Sequence, residues 1–301
     1  MLGDILAGFQ LFDRFKNKYF NRTQATEPFS TITQRLVALF ESHGVHRNQI
    51  EEFFGHGLDI PSCTTDDELL KKLTPEIITD AAKLFGVNKD WLEGSSNEIY
   101  NIPDFYKHPE DFDFYLTELL NNTNAYKPSA YVLTSHKKSI YEYNDSLFVI
   151  AEPIGEINQR EIYKYHLLGR WGIHYWKSRA YFTACCALLY KHGFLVTGKF
   201  VEPDWLSKVY EGQELLSYDF DERYGGVNFP TIGSWIVSDF VEMPDSYLKG
   251  LNTRDGHSVQ LAIEKWLSLS EKGYMRCFPD EKELHAGVEE SFEQKLKNLR
   301  N

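Results

Sequence analysis

The sequence predicts an α+β protein, in which an N-terminal all-α, helix-rich module precedes a C-terminal mixed α/β domain. Between residues 31 and 96, apolar residues recur at helical spacing and glycine follows most of the runs. Short β-branched and aromatic runs bounded by turn residues begin only after Pro128. The chain has 301 residues, of which 42% are hydrophobic and 15% aromatic, so it can bury a substantial core.

Residues 1–30 are predicted to form an amphipathic helix and a linker. Leu2, Ile5 and Phe9 share one helical face within residues 1–20. This face is expected to pack on the rest of the chain, on a second chain or on a membrane surface.

Residues 31–96 are predicted to form a compact module of short helices. Glu68 follows Thr65 at the spacing of a capping box, and Pro75 occupies a first helical position. Residues 55–64 are expected to form a long turn. The predicted helices cover residues 33–42, 47–54, 65–73, 75–85 and 89–92.

Two parts of this module resemble the lambda-repressor-like (XRE-type) helix-turn-helix domain. Residues 81–94, AAKLFGVNKDWLEG, are similar to its last two helices, with a Gly-Val turn and a Trp-Leu anchor before a final glycine. The stretches RLVALFESHGV and NQIEEFFG, within residues 35–55, are similar to its first two helices. The resemblance implies a DNA-binding module.

Six residues of the module carry donors that read base edges and phosphates. The expected DNA contacts are Asn48, Gln49, Thr64, Thr65, Lys71 and Lys72. Residues 51–100 carry a net charge of −7, however, which opposes the counterion release that supplies most non-specific affinity. The alternative is a helix-turn-helix-like module that serves protein interaction or dimerisation.

Three further segments complete the predicted organisation. Residues 97–128 form an acidic helical connector, residues 129–280 an α+β domain for ligand sensing or interaction, and residues 281–301 a C-terminal helix. In this last helix Phe292, Leu296 and Leu299 form an apolar face. Strands are predicted over residues 131–134, 147–151, 194–201 and 235–241, and helices over 111–121, 172–192, 204–216, 257–271 and 281–299.

Residues 160–200 form a basic segment with a net charge of +6, whereas the rest of the chain sums to −18. Aromatic and histidine residues, including Tyr165 and His166, are interleaved with its cations. Arginine pairs well with phosphate or carboxylate, and His174 is expected to change charge near neutral pH. The candidate site for a small anionic ligand consists of Arg170, Trp171, His174, Trp176, Lys177 and Arg179.

Two other interpretations of the basic segment stay open. Its cations can face the acidic N-terminal half across an interface, with Trp171 and Trp176 in the core. Alternatively, its exposed aromatic rings can stack on nucleic-acid bases.

Neither a catalytic motif nor a metal-binding motif is predicted, and no cofactor is expected. His43, His46, His56 and Cys63 match no standard zinc spacing. Cys185 and Cys186 lie in an apolar helix and are expected to be buried and inert. Cys277 follows Arg276, but the sequence places no base beside it.

The net charge of −12 predicts that the whole molecule repels nucleic acid and acidic membranes, so any polyanion contact must be local. Asp4 interrupts what would be the core of a signal peptide, and four cysteines are too few for a disulfide framework. We therefore expect a cytoplasmic, homodimeric transcriptional regulator with no membrane contact. A protein-interaction role is the second expectation, and an enzyme of unknown class the third.

Overall fold

A computed structural model describes residues 31–122, 128–135, 145–219, 226–251, 256–278 and 280–300. Helices dominate its N-terminal part, and a five-stranded mixed sheet follows. The predicted α+β class is thereby confirmed. The predicted amphipathic helix of residues 1–20 lies outside the described residues.

Short helices build the N-terminal part, and their ends follow the capping residues. The side chains of Thr65 and Thr74 accept a hydrogen bond from the third residue of the next helix, and Gly86 ends a helix in the left-handed conformation. The helices are α1 (Ile32–Ser42), α2 (Ile50–Phe54), α3 (Ile60–Thr64), α4 (Asp66–Lys72), α5 (Pro75–Phe85) and α6 (Lys89–Glu93), with a 3-10 turn at Arg47–Gln49 before α2.

Helix α3 corrects the expectation of a long irregular turn over residues 55–64. Asp59 and Ser62 form a reciprocal capping box, in which each side chain accepts from the other residue's backbone N–H. Pro61 stands in the first turn, where its missing N–H costs nothing.

The five-stranded sheet has the order β3-β2-β1-β4-β7. Strand β1 pairs antiparallel with β2 and parallel with β4, whereas β2–β3 and β4–β7 are antiparallel. Its strands are β1 (Ser129–Ser135), β2 (Asp145–Ile157), β3 (Arg160–Gly172), β4 (Leu195–Val201) and β7 (Thr231–Trp235); β5 (Ser217–Asp219) and β6 (Gly226–Asn228) form a separate pair.

Strand β3 was not predicted, because its hairpin turn lacks the usual glycine. Asn158 and Gln159 both adopt positive φ, 50° and 64°, and join β2 to β3 in a two-residue turn. That turn conformation matches the twist of paired strands, but asparagine followed by glycine is its usual sequence.

The predicted strand over residues 235–241 is wrong. Strand β7 ends at Trp235, and the following residues form a helix that buries Val237 and Val241 at helical spacing. Seven helices lie in this part of the described chain: α7 (Pro109–Asn122), α8 (Trp176–Lys191), α9 (Pro203–Tyr210), α10 (Val237–Glu242), α11 (Pro244–Leu248), α12 (Gly256–Glu271) and α13 (Lys282–Arg300).

Both faces of the sheet are covered along its central strands β1 and β2, whereas most of β7 is exposed. Phe40 and Phe85 of the N-terminal helices share a core with Val149 and Leu167 on one face. Helices α7 and α8 cover the other face, where Phe148 stacks on Phe182 at 5.1 Å. The chain between α6 and α7 therefore passes from one face of the sheet to the other.

The C-terminal helix α13 packs on α12. Phe292 stacks on Trp266 with ring centroids 3.8 Å apart and planes 6° apart. Leu296 is buried and Leu299 is exposed. None of the helices in the described part of the chain is long and apolar enough to cross a membrane.

Candidate functional site

A cavity of about 180 Å³ lies where the chain crosses the outer edge of β3, and we call it the seam cavity. Its walls come from the end of α5, the α6–α7 linker, α7 and β3. The lining residues are Gly86, Tyr100, Asn101, Pro103, Tyr115, Tyr165, His166 and Leu167. The cavity therefore borders both the N-terminal helices and the sheet.

Backbone hydrogen bonds hold the linker against β3. The N–H of Gly169 donates to the carbonyl of Pro103 at 2.8 Å, and the N–H of Asn88 donates to that of Ile99 at 2.7 Å. Tyr100 is fixed as well, because its hydroxyl accepts from the N–H of Leu216 at 3.0 Å. The wall formed by the linker is thus attached on both sides of the cavity.

A hydrogen-bonded relay of three side chains forms one wall. The Tyr115 hydroxyl lies 2.8 Å from Nδ1 of His166, and Nε2 of His166 lies 2.7 Å from Oε2 of Glu152. When the imidazole carries one proton, Nε2–H donates to the carboxylate and Nδ1 accepts the tyrosine proton. The oxygen of Tyr115 then keeps its lone pairs for a hydrogen-bond donor in the cavity.

The relay is largely shielded from solvent. Burial, reinforced by the nearby charge of Glu152, raises the pKa of Tyr115 to about 12, so its hydroxyl stays protonated at neutral pH. Among the described residues that line the seam cavity, none has a Lys, Arg, Asp or Glu side chain. Glu152 lies one hydrogen bond behind the wall.

No protein-family model, curated protein or solved structure matches this chain. The resemblance of residues 31–94 to a helix-turn-helix domain therefore stays a prediction, as does the division into domains. Any function must be argued from the geometry of the sites themselves.

The six predicted DNA contacts lie on the surface of the N-terminal helices. Asn48 and Gln49 belong to the 3-10 turn, and the other four belong to α3, α4 and the junction between them. Gln49 is half-buried, and the others are exposed: Asn48, Thr64, Thr65, Lys71 and Lys72.

Several of these side chains already have partners within the chain. The hydroxyl of Thr65 caps α4, and Gln49 Oε1 accepts from the N–H of His46 at 3.2 Å. Lys71 pairs with Glu68 at 2.6 Å, and Lys72 pairs with Asp59 at 3.4 Å. Such exposed ion pairs are weak because water screens them, so both lysines can exchange partners.

Arg179, predicted to bind an anion, is an internal structural residue. Its side chain is 2% exposed, and it donates to the carbonyls of Ile173 at 2.7 Å, Lys249 at 2.8 Å and Tyr247. The carbonyls of Tyr247 and Lys249 lie at the C-terminal end of helix α11, where the helix dipole favours a cation. Arg179 therefore caps a helix, and its donors are not directed to a ligand.

The other five predicted ligand residues do not converge on one site. Trp171 is buried in the core, and burial lowers the pKa of His174 to about 4, aided by Arg179. His174 is therefore neutral near pH 7, which corrects the expectation that it titrates there. Arg170 donates to the carbonyl of Tyr210 at 2.6 Å.

Trp176 and Lys177 begin helix α8. The Lys177 ammonium lies over the Trp176 ring, 5.1 Å from its centroid. Lys191, at the other end of α8, pairs with Asp113 at 3.4 Å. Fourteen residues of helix separate the two lysines by about 21 Å, so the basic segment forms no single surface.

A second cluster has the residue types of a catalytic triad but the wrong geometry. Ser270 Oγ lies 2.9 Å from Nε2 of His285, and Glu289 Oε1 lies 3.2 Å from the same nitrogen. A triad needs the nucleophile and the acid on opposite ring nitrogens. These contacts instead join α12 to α13.

Neither a thiol nor a metal site emerges from the described residues. Burial raises the pKa of Cys277 strongly, and Cys185 and Cys186 are fully buried with raised pKa values. Within the described ranges, no three His, Cys, Asp or Glu side chains cluster to hold a metal ion.

The relay was not found from the sequence. Tyr115, Glu152 and His166 lie on α7, β2 and β3, and no short motif contains them. His166 was noted only as a member of the basic segment. The only sequence signal for it is a glutamate and a histidine near the middle of the two strands of the unpredicted β2–β3 hairpin.

Proposed function

We propose that this protein is a cytoplasmic, ligand-responsive regulator. A small molecule binds in the seam cavity and alters how the surface of α3 and α4 contacts a target. The observation that carries this proposal is that the cavity is walled by the C-terminus of α5, the linker and β3 together. A bound molecule therefore contacts the helical module and the sheet at once, and its binding energy depends on how they are arranged.

Duplex DNA is the first candidate target, on the resemblance to helix-turn-helix domains. Support comes from the exposure of Asn48 and Lys71, whose donors suit base edges and phosphates, whereas the Thr64 hydroxyl donates to the carbonyl of Ile60 at 3.0 Å. The first turn of α4 is acidic, with Asp66, Asp67 and Glu68, so affinity must be modest and strongly salt-dependent.

A protein partner is the second candidate, and one observation favours it. Ile60 on α3 is 57% exposed and Leu70 on α4 is 55% exposed, on the same part of the module as the predicted DNA contacts. Exposed apolar residues among ion pairs are typical of protein interfaces.

The ligand response is tested with a substitution that blocks the opening of the seam cavity. Asn101→Trp places a large ring on an exposed lining residue, and Asn97→Trp places the same ring on an exposed linker residue outside the lining. A small-molecule library is screened by thermal shift on the wild type and both variants. We expect ligands that stabilise the wild type and Asn97→Trp but not Asn101→Trp. A library with no such compound contradicts the proposal.

The target is tested with duplex fragments from the region of the protein's own gene at low salt. We expect binding that weakens steeply with salt and is reduced by Lys71→Ala with Lys72→Ala. The matched control, Lys272→Ala with Lys297→Ala, removes the same charge from two exposed positions, one in the turn after α12 and one on α13. If both pairs behave alike, or no fragment binds, DNA is excluded, and Ile60→Lys becomes the test of a protein partner.

A further inference from the structure

We propose that the ligand of the seam cavity is a small organic cation, an amine or a quaternary ammonium compound. This inference rests on the proposed function only for the existence of a ligand. Its chemical class follows from the charges, the acceptors and the rings around the cavity.

The charges around the cavity disfavour an anion. The described lining has no Lys or Arg side chain, and the Glu152 carboxylate lies directly behind His166 at 2.7 Å. An anion would meet no cationic side chain in the lining itself and would lie near the Glu152 carboxylate, whose charge Lys164 offsets only from across the β2–β3 ladder. A cation gains from that same charge.

The acceptors also suit a ligand that donates hydrogen bonds. When Nε2 of His166 carries the imidazole proton, the Tyr115 hydroxyl donates its hydrogen bond to Nδ1, and its oxygen can accept one from a ligand in the cavity that it lines. The side chain of Asn101 adds an amide oxygen at the mouth. The ammonium group of a protonated amine carries only donors and matches this arrangement. A quaternary ammonium group has no N–H, so its binding depends on the charge and the rings alone.

The rings and the volume set the kind and size of the cation. Tyr100, Tyr115 and Tyr165 line the cavity, and the face of an aromatic ring attracts a cation. The volume is about 180 Å³. Since an apolar cavity of about 150 Å³ accommodates benzene, the ligand has about six to ten non-hydrogen atoms.

Lys164 provides a second test, in which the affinity for the ligand should change in the opposite direction. It lies directly across from Glu152 in the β2–β3 ladder, and its aliphatic stem packs against Gly86. Cross-strand partners have Cβ atoms about 5 Å apart, so both charges lie near the cavity. Because one is negative and the other positive, they act on a charged ligand in opposite directions. For a cationic ligand, Glu152→Gln must weaken binding and Lys164→Met must strengthen it.

The experiment measures calorimetric binding of matched isosteres to the full chain. Choline is compared with uncharged 3,3-dimethyl-1-butanol and anionic 3,3-dimethylbutyrate, and benzylammonium with benzyl alcohol. We expect one cation of the two pairs to bind one-to-one, about tenfold more tightly than its uncharged isostere, a difference of about 1.4 kcal/mol. Glu152→Gln and Tyr115→Phe should weaken that binding severalfold, Lys164→Met should tighten it, and Asn101→Trp should abolish it. Far-ultraviolet circular dichroism checks that each variant is folded.

Three results overturn the inference: equal binding of a cation and its isostere, preferred binding of the anion, or no binding of either cation. If an uncharged or anionic compound binds and Asn101→Trp abolishes it, the cation class is wrong while the sensory role stands. If a cation binds as expected but changes neither DNA nor partner binding, the ligand class is right and the regulatory role fails.

Discussion

The imidazole of His43 stacks on the ring of Tyr165, with centroids 4.9 Å apart and planes 21° apart. His43 ends helix α1, and Tyr165 lies on β3 beside the seam cavity. His43 is 0% exposed, and its Nδ1 lies 2.8 Å from the carbonyl of Leu39. The stack joins the N-terminal helices to the sheet through a buried titratable ring.

This relationship predicts that acid weakens folding through His43. Burial lowers the pKa of His43 from 6.5 to about 4, so between these values the unfolded chain binds a proton that the folded chain does not. The contribution to stability is fully present above pH 6.5 and is lost as the pH falls toward 4. Its size is about 3 kcal/mol.

Urea unfolding of the wild type and His43→Phe between pH 4 and pH 7.5 measures this effect. The difference between their free energies of unfolding should change by about 3 kcal/mol in favour of the variant as the pH falls. Comparing differences cancels the titration of other groups, such as His174. His108→Phe, at an exposed position, serves as the control. A pH-independent difference for His43→Phe would contradict the prediction.

The N-terminal helices could be predicted because their signals are local. Thr65, Pro75 and Gly86 act within one or two turns of the backbone, and the corresponding helix ends lie close to the predicted positions. Helix α3 was missed because its capping box, Asp59 with Ser62, uses two residues also typical of turns.

The candidate site could not be predicted because it depends on pairing across strands and layers. The β2–β3 hairpin brings Glu152 near His166, and α7 must then place Tyr115 on the same face. Net charge along the chain was a poor guide for a similar reason. Arg179 and Lys177 are two residues apart in sequence, yet one is buried and the other half-exposed.

The structure reduces the set of apolar residues that are expected to form a contact between two chains. Phe292 and Leu296, on the apolar face of α13, are buried within the same chain and so are not available for a contact with a second chain. The apolar residues Leu2, Ile5 and Phe9 remain as the predicted contact. We therefore expect sedimentation to give a dimer for the full chain and a monomer after deletion of residues 1–20. Monomers in both cases would show that the homodimer expected from the sequence is wrong.

The stack of Phe292 on Trp266 predicts that α13 is essential for stability. Phe292→Ala removes a fully buried ring and should lower the free energy of unfolding by about 3–5 kcal/mol. Leu299→Ala, on the same helix but 43% exposed, should change it by no more than about 0.5 kcal/mol. Chemical denaturation of both variants measures the contrast, and equal effects would mean that α13 is not anchored by this stack.

The buried guanidinium of Arg179 can be tested for two roles. The structure gives it a structural role, whereas the sequence predicts that it binds an anion. Burial lowers the pKa of Arg179 to about 10, so the group is still charged at neutral pH, and backbone carbonyls stabilise that charge. Arg179→Met leaves the carbonyls of Ile173 and Lys249 without this donor, and we expect a loss of about 2–4 kcal/mol in the free energy of unfolding. Lys177→Met removes an equal charge from a half-exposed position over Trp176 and should cost less than about 1 kcal/mol. Phosphate should raise the thermal midpoint of neither the wild type nor Arg179→Met. A stable Arg179→Met variant, together with a phosphate-dependent rise that only the wild type shows, would restore Arg179 as an anion ligand.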